Sequence, residues 1–267
     1  MLAFANAKIN LGLHVKEKRP DGYHNLETVF YPVKLYDVIE ITDAEETFCT
    51  TAGLVIPGDA ADNICLQAYQ LISKDFDIPA QQITLLKNIP VGAGLGGGSS
   101  DAAFLIKLLN EKFNLGMPVA VMQDYARALG ADCAFFIENQ PVYAIGKGDE
   151  FSPVNIDLSS WFMVLVKPPV HVSTADAYAG LLPVKPSAEL TDLLNLPVPE
   201  WKLHLKNDFE QHVFLKYPEI ARIKEQLYAA GAVFALMSGS GSGVYALFEK
   251  AVQLPGLEKE NKVFYNV

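Results

Sequence analysis

Residues 90 to 103 read Pro90-Val91-Gly92-Ala93-Gly94-Leu95-Gly96-Gly97-Gly98-Ser99-Ser100-Asp101-Ala102-Ala103. Five glycines in seven positions let a backbone approach a ligand closely and turn its amides inward. A helix opening at the serines adds N–H groups without intrahelical partners and the positive end of a helix dipole; together these make a phosphate cradle. The serine hydroxyls offer further donors, and they and Asp101 are all candidate magnesium ligands. A flexible loop ahead of a capped helix is the plainer reading, and the glycine density argues against it. Gly92, Gly94 and Gly97 also satisfy the GxGxxG of dinucleotide sites, a pattern weak by itself. The acidic residue that such a site needs about 20 positions later is absent from the stretch at that distance, Met117 to Ala120. No GxxxxGK[ST] occurs, which excludes a Walker-type loop. A second run, Ser238-Gly239-Ser240-Gly241-Ser242-Gly243, is too short for a linker and reads as a tight strand-to-strand connection with exposed backbone.

These loops need elements to hold them. Ile9, Leu11, Leu13 and Val15 alternate with Asn10, Gly12 and His14, the period of a half-buried strand. If that strand begins at residue 8, Lys8 and Asn10 share the face opposite the core. Asp21-Gly22 marks a turn before strand-like runs at Thr28–Val33 and Val38–Ile41. Asp62-Asn63 can cap a helix with Ile64, Ala68, Leu71 and Ile72 on one face. A strand at Ile83–Leu86 leads into the glycine stretch, and an apolar helix, Ala102–Leu109, leaves it. A further helix is predicted from Pro118 to Gly130. Pro153 to Ser160 reads as a domain seam. Beyond it come a buried strand at Trp161–Val166, a helix from Pro218 with Ile220, Ile223 and Leu227 on one face, and strands at Val233–Leu236 and Val244–Phe248 that flank the second glycine run.

The totals set the outer bounds. Half of the 267 residues are hydrophobic and 19% are charged, a globular composition. Lys+Arg 21 against Asp+Glu 31 leaves a formal charge of −10. That surface repels phosphate backbones and anionic lipid, so neither nucleic acid nor membrane is expected as a partner. No run approaches the roughly 20 apolar residues of a membrane span, and Met1 to Asn10 lacks the pattern of a signal peptide. Cys49, Cys65 and Cys133 are odd in number without CxxC spacing, against a disulfide framework or zinc site. A cytoplasmic protein is expected.

Pro90-x-Gly92-x-Gly94-Leu95-Gly96-x-x-Ser99-Ser100 resembles the central motif of the GHMP kinases, the superfamily of galactokinase, homoserine kinase and mevalonate kinase. Ala7-Lys8-Ile9-Asn10-Leu11 resembles the first motif of that superfamily and Ser238 to Gly243 its third, in the expected order. Arg19-Pro20-Asp21-Gly22-Tyr23-His24-Asn25-Leu26, the triple glycine Gly96-Gly97-Gly98 and Leu129-Gly130-Ala131-Asp132 resemble, more narrowly, members that act on a cytidine-diphosphate-linked polyol. The similarity runs from residue 3 to about residue 250. It implies an α+β, two-layer, two-domain chain. Residues 1–155 would form a half like ribosomal protein S5 domain 2 with the ATP loop and catalytic residues, and residues 156–267 a ferredoxin-like half. It also implies transfer of the γ-phosphoryl of ATP, with Mg2+, to a polyol hydroxyl.

By that resemblance Asp132 matches the catalytic aspartate and Lys8 its partner. A carboxylate can accept the hydroxyl proton while a lysine orients the oxygen and stabilises its charge. Pro90, Gly92, Ala93, Gly94, Leu95, Gly96, Gly97, Gly98, Ser99 and Ser100 match the ATP-binding loop. Asn10 would hold the polyol, Tyr23, His24 and Tyr178 the cytosine, and Ser238, Gly239, Ser240 and Gly241 form the third loop. Without the motifs, Asp132 reads as a helix cap, Lys8 as a solvated strand end and Tyr178 as a core tyrosine. Cys133-Ala134 departs from the Val-Pro usual after the aspartate. Other GHMP kinases, a metabolite sensor on the same fold, and an RNA-binding module related to the S5-like half are the competing classes. The −10 charge and the kinase loops weigh against the last.

Overall fold

Two long strands open the computed structural model, which describes residues 1–181 and 188–267. They are β1 (Leu2–Lys18) and its partner β2 (His24–Asp43). The predicted strands Thr28–Val33 and Val38–Ile41 are both parts of β2. No turn-forming pair separates them, and Val33, Leu35, Asp37, Ile39 and Ile41 keep one buried face throughout. The half-buried strand expected at Ile9–Val15 is buried on both faces. Lys8 and Asn10 therefore lie inside, 5% and 2% exposed, rather than on a solvated face.

Residues Met1–Ala7, Leu35–Val91 and Gly96–Gln140 form one compact unit, and Lys8–Lys34, Gly92–Leu95 and Pro141–Val267 form a second. In the first unit β3 (Phe48–Gly53) lies parallel to β4 (Gln81–Lys87), and α1 (Ile64–Ile72) joins them. Asn63 caps α1, its side-chain oxygen accepting from the Cys65 amide at 2.9 Å. β4 pairs antiparallel with Val38–Asp43 of β2. Gln81, Ile83, Leu85 and Lys87 take the inward register of β4. Three helices follow: α2 (Gly97–Lys112), α3 (Val119–Leu129) and the short α4 (Phe135–Glu138). α2 buries Ala102, Ala103, Leu105, Ile106 and Leu109 and packs on the other three helices.

In the second unit β5 (Val142–Ile145) pairs with Thr28–Phe30 of β2 and with β6 (Glu150–Pro153), both antiparallel. Then come β7 (Phe162–Lys167), α5 (Thr174–Ala179), α6 (Leu190–Leu194), α7 (Val198–His204), α8 (Phe209–Lys216) and α9 (Pro218–Ala229). β8 (Phe234–Met237), β9 (Val244–Phe248), α10 (Pro255–Glu258) and β10 (Lys262–Tyr265) complete the chain. The sheet order is β10-β7-β9-β8, with each neighbouring pair antiparallel. With helices between β7 and β8 and between β9 and β10, this is the ferredoxin-like βαββαβ arrangement. Val164, Val166, Ala235, Met237, Val244 and Ala246 cluster with Ile220, Ile223 and Leu227 of α9. The residues alternating with them on β7, β8 and β9 are buried too, which explains runs with no polar alternation. Among the described residues no helix is long and apolar enough to cross a membrane.

Candidate active site

The glycine-rich stretch begins where β4 ends. Gly92, Gly94 and Gly96 have φ of +62°, +74° and +67°, the left-handed region that L side chains rarely adopt. α2 starts at Gly97, two residues before the predicted start at the serines. Ser100 donates its amide to the Gly96 carbonyl at 2.8 Å, the first bond of the helix. The amides of Gly97, Gly98 and Ser99 therefore have no intrahelical acceptor, and they sit at the positive end of a sixteen-residue helix. Gly97 is helical, and its small size answers to packing. A Cβ there would meet Ile89 Cγ2 and Lys87 Nζ, each at 2.9 Å.

Still in the first unit, Ser99 donates its hydroxyl to Asp132 Oδ1 at 2.7 Å. Asp132 is half-buried, between α3 and α4. Its neighbours Cys133 and Ala134 are fully buried, so the departure from Val-Pro is absorbed as apolar packing. Burial, and then the Asp132 charge, push the Cys133 thiol up to about 12, which keeps it neutral. The end of β4 and the start of α2 also share a buried charged cluster, of which the motifs mark only Asp101. Lys87 pairs with Asp37, and with Asp101 Oδ2 at 2.7 Å, all three at most 4% exposed. Asp37 Oδ1 also accepts the amides of Asn88 and Ile89, at 2.5 and 2.8 Å, whereas Asp101 Oδ1 has no partner. Burial raises Asp101 above the carboxylate range despite Lys87. Asp37 and Asp101 thus tie both flanks of the glycine stretch, β4 and α2, to one ammonium.

Within the second unit, Lys8 donates to Asn10 Oδ1 at 2.7 Å and lies 4.7 Å from the centre of the Phe30 ring. Asn10 donates through Nδ2 to Thr28 Oγ1 at 2.9 Å, and Thr28 donates to the Gly12 carbonyl at 2.6 Å. The two glycine segments meet on this strand. Lys8 donates its amide to the Leu95 carbonyl at 2.9 Å. Ser238 donates its hydroxyl to the Gly94 carbonyl at 2.8 Å and accepts the Asn10 amide at 3.3 Å. Gly243 donates its amide to the Ala93 carbonyl at 3.1 Å. A Cβ on Gly94 would overlap the Ser238 carbonyl, so glycine is required at this crossing.

His24 and Tyr178 stack, with ring centres 4.6 Å apart and planes at 25°. Phe209 meets Tyr178 edge-on at 4.7 Å. Tyr23 is 61% exposed, with Lys147 5.1 Å from its ring centre. Burial, then the charge of Lys18, lower the His24 pKa, leaving a neutral imidazole that can both donate and accept near pH 7. Sequence reasoning passed over Glu27, which is fully buried. It receives His14 Nδ1 at 2.9 Å, Lys16 at 2.8 Å and Tyr143 Oη at 2.6 Å. Burial alone would raise this carboxyl; the three donors overcome it and hold the pKa at about 2.

The GHMP kinases N terminal domain family model matches residues 63–140, and the GHMP kinases C terminal model residues 198–259. A 4-diphosphocytidyl-2-C-methyl-D-erythritol kinase of Bacteroides fragilis is 51% identical over 264 residues, 97% of this chain and 96% of that protein. The protein of the same name from Bacteroides thetaiotaomicron is 50% identical over 268 residues, 99% and 98% of the two chains. A crystal structure of 4-(cytidine 5'-diphospho)-2C-methyl-D-erythritol kinase aligns with a TM-score of 0.84 at 29% identity, covering 99% of this chain and 98% of that one. A mevalonate kinase structure aligns at 0.73 and 16% identity over 99% and 98% of the chains, a likeness of fold alone.

Proposed function

The chain belongs to the 4-diphosphocytidyl-2-C-methyl-D-erythritol kinases of the GHMP kinase family, and from that membership we propose that it transfers the γ-phosphoryl of ATP to the 2-hydroxyl of 4-diphosphocytidyl-2-C-methyl-D-erythritol, a step of the non-mevalonate route to isoprenoid precursors. The observation that supports it most is the Ser99–Asp132 hydrogen bond at the start of α2, which sets a carboxyl group and a hydroxyl at the same helix terminus as three amides without an intrahelical acceptor. Phosphoryl transfer needs little covalent help from a protein. It needs phosphate held, charge neutralised and a hydroxyl oriented.

In this proposal Pro90 to Ser100 bind ATP, with the amides of Gly97, Gly98 and Ser99 on its phosphates. Asp132 accepts the proton leaving the substrate hydroxyl, and Lys8 stabilises charge on that oxygen. Asn10, fixed by Lys8 and Thr28, holds the polyol. Tyr23, His24 and Tyr178 take the cytosine, with His24 as the group able to read its hydrogen-bonding edge. The loop Ser238 to Gly241 braces the ATP loop through Gly94. Among the described residues no cluster of three or more His, Cys, Asp or Glu could cage a metal. That fits Mg2+, which keeps its waters and binds mainly through substrate phosphates with one or two protein oxygens. Ser99 is the oxygen placed for that role, because Ser100 and Asp101 are buried. Bound there, Mg2+ would neutralise charge on the transferring phosphoryl group.

The same proposal places the enzyme in the cytoplasm, where its ATP is, and treats residues 1–155 and 156–267 as its N- and C-terminal family domains. Each family model falls inside one of those halves, whereas the compact units interleave along the chain. A coupled ADP-release assay on the purified protein tests the substrate. Release is expected with 4-diphosphocytidyl-2-C-methyl-D-erythritol and not with homoserine or mevalonate. Release with either of the latter alone would overturn the assignment.

A further inference from the structure

One segment of the second unit, Asn207-Asp208-Phe209-Glu210, belongs to none of the three kinase motifs, yet Asn207 and Phe209 end on parts of the candidate site, and Asp208 and Glu210 hold the strands β1 and β8 that lead to it. Asn207 is 2% exposed and uses its whole amide group. Its Nδ2 donates to the carbonyls of Met237 and Gly239, each at 2.8 Å, and its Oδ1 accepts the Phe209 amide at 3.0 Å. Both carbonyls belong to the start of the loop whose Ser238 hydroxyl holds Gly94 of the ATP loop. Asp208 Oδ2 accepts the Val15 amide at 2.8 Å. Its backbone amide donates to Leu13, and Leu13 donates to Lys206, both at 2.9 Å, so the segment runs parallel to the strand that carries Lys8 and Asn10. Phe209 fixes Tyr178 edge-on. Glu210 Oε1 accepts the Met237 amide at 2.9 Å while both its oxygens take Lys224, at 2.9 and 2.7 Å.

We propose that Asn207–Glu210 is a positioning element serving both substrates: Asn207 sets the third glycine loop against the ATP loop, and Phe209 sets Tyr178 for the nucleobase. Neither residue reaches substrate; each acts through the group it holds. The assignment rests on the kinase reading above. Its particular content is that two neighbours in one segment control different Michaelis constants. Asn207 has no substitute of its own size. Aspartate keeps the acceptor for Phe209 but turns a carboxylate oxygen toward two carbonyl oxygens, and alanine removes donors and acceptor together.

The test is steady-state kinetics on Asn207→Ala, Asn207→Asp and Phe209→Leu, with folding checked by circular dichroism and both substrates titrated. Asn207→Ala should raise the KM for ATP roughly tenfold, the scale of one or two lost hydrogen bonds. Asn207→Asp should do at least as much at pH 8 and recover toward wild type by pH 6, as the buried carboxyl takes up a proton and regains a donor. Phe209→Leu should raise the KM for the cytidine substrate and leave that for ATP unchanged. A wild-type enzyme with no kinase activity would sink the kinase reading itself. An active wild type whose folded Asn207 variants keep a normal KM for ATP would overturn this inference alone. If the Asn207 variants do not fold, Phe209→Leu decides: unchanged or equally raised constants for both substrates contradict a positioning role.

Discussion

Under the proposed function Asp132 takes the proton that leaves the substrate hydroxyl. Asp132→Asn keeps an oxygen for the Ser99 hydroxyl and loses the ability to take a proton. Its kcat should fall by roughly 10²–10⁴, the usual span for a positioned general base, while KM for the polyol moves much less. Full titration of both substrates checks this, and a near-normal kcat would remove Asp132 from the role. Asp132 and Ser99 are singled out by the family motifs, and the structure joins the two by a hydrogen bond at 2.7 Å. Lys8 was legible as a residue and not as an environment. The alternation of Ile9, Leu11, Leu13 and Val15 separates two faces of a strand but says nothing of what covers the second, and both proved buried. Asn207 left no comparable trace, because its work is done by a side-chain amide on carbonyls 30 and 32 positions away.

At the scale of elements, α2 and the strand before it act as one piece. The inward register of β4 runs Gln81, Ile83, Leu85, Lys87, and that of β2 runs Leu35, Asp37, Ile39, Ile41. A lysine and an aspartate in core positions are the sequence signal of the buried cluster, visible only once the two strands are known to pair. The helix start was misplaced by two residues because glycine is a poor helix former, and propensity gave no reason to include Gly97 and Gly98. Packing overrides propensity here, since a Cβ at Gly97 would lie 2.9 Å from both Ile89 Cγ2 and Lys87 Nζ and force one of them to shift. Gly97→Ala should therefore cost about 1–3 kcal/mol of stability, as overpacking does, even though alanine favours helices. Gly97→Val should cost more and weaken ATP binding. Thermal melts with nucleotide calorimetry on the folded variants test both, and a Gly97→Val protein of normal stability and ATP affinity would show that α2 does not start against Lys87.

For the whole molecule, the short apolar runs Trp161–Val166, Val233–Leu236 and Val244–Phe248 mark individual strands, while their ferredoxin-like arrangement follows from the family resemblance. The interleaving of the two compact units was not readable, because β1 and β2 each supply residues to both, and a hydrophobic period does not say where along a strand its packing partner changes. Folding also links to pH through Glu27. Its carboxyl is held below the ordinary 4.5, at about 2, so the ionised form is favoured in the folded state. The resulting stability, roughly 3 kcal/mol, is present above pH 4.5 and is lost as pH falls toward 2. Melting temperature should drop through that window in the wild type. Glu27→Gln should melt lower at pH 7 and lose less on acidification, and parallel curves for the two proteins would assign the acid sensitivity elsewhere. The central claim is the transfer itself, and phosphorus and carbon NMR of the reaction mixture test it most directly. Enzyme, ATP, Mg2+ and 4-diphosphocytidyl-2-C-methyl-D-erythritol should give one new phosphomonoester signal, with phosphorus coupling at the methyl-bearing C2 carbon and stoichiometric ADP. A phosphomonoester on any other carbon, or ADP with inorganic phosphate and no new ester, would contradict it.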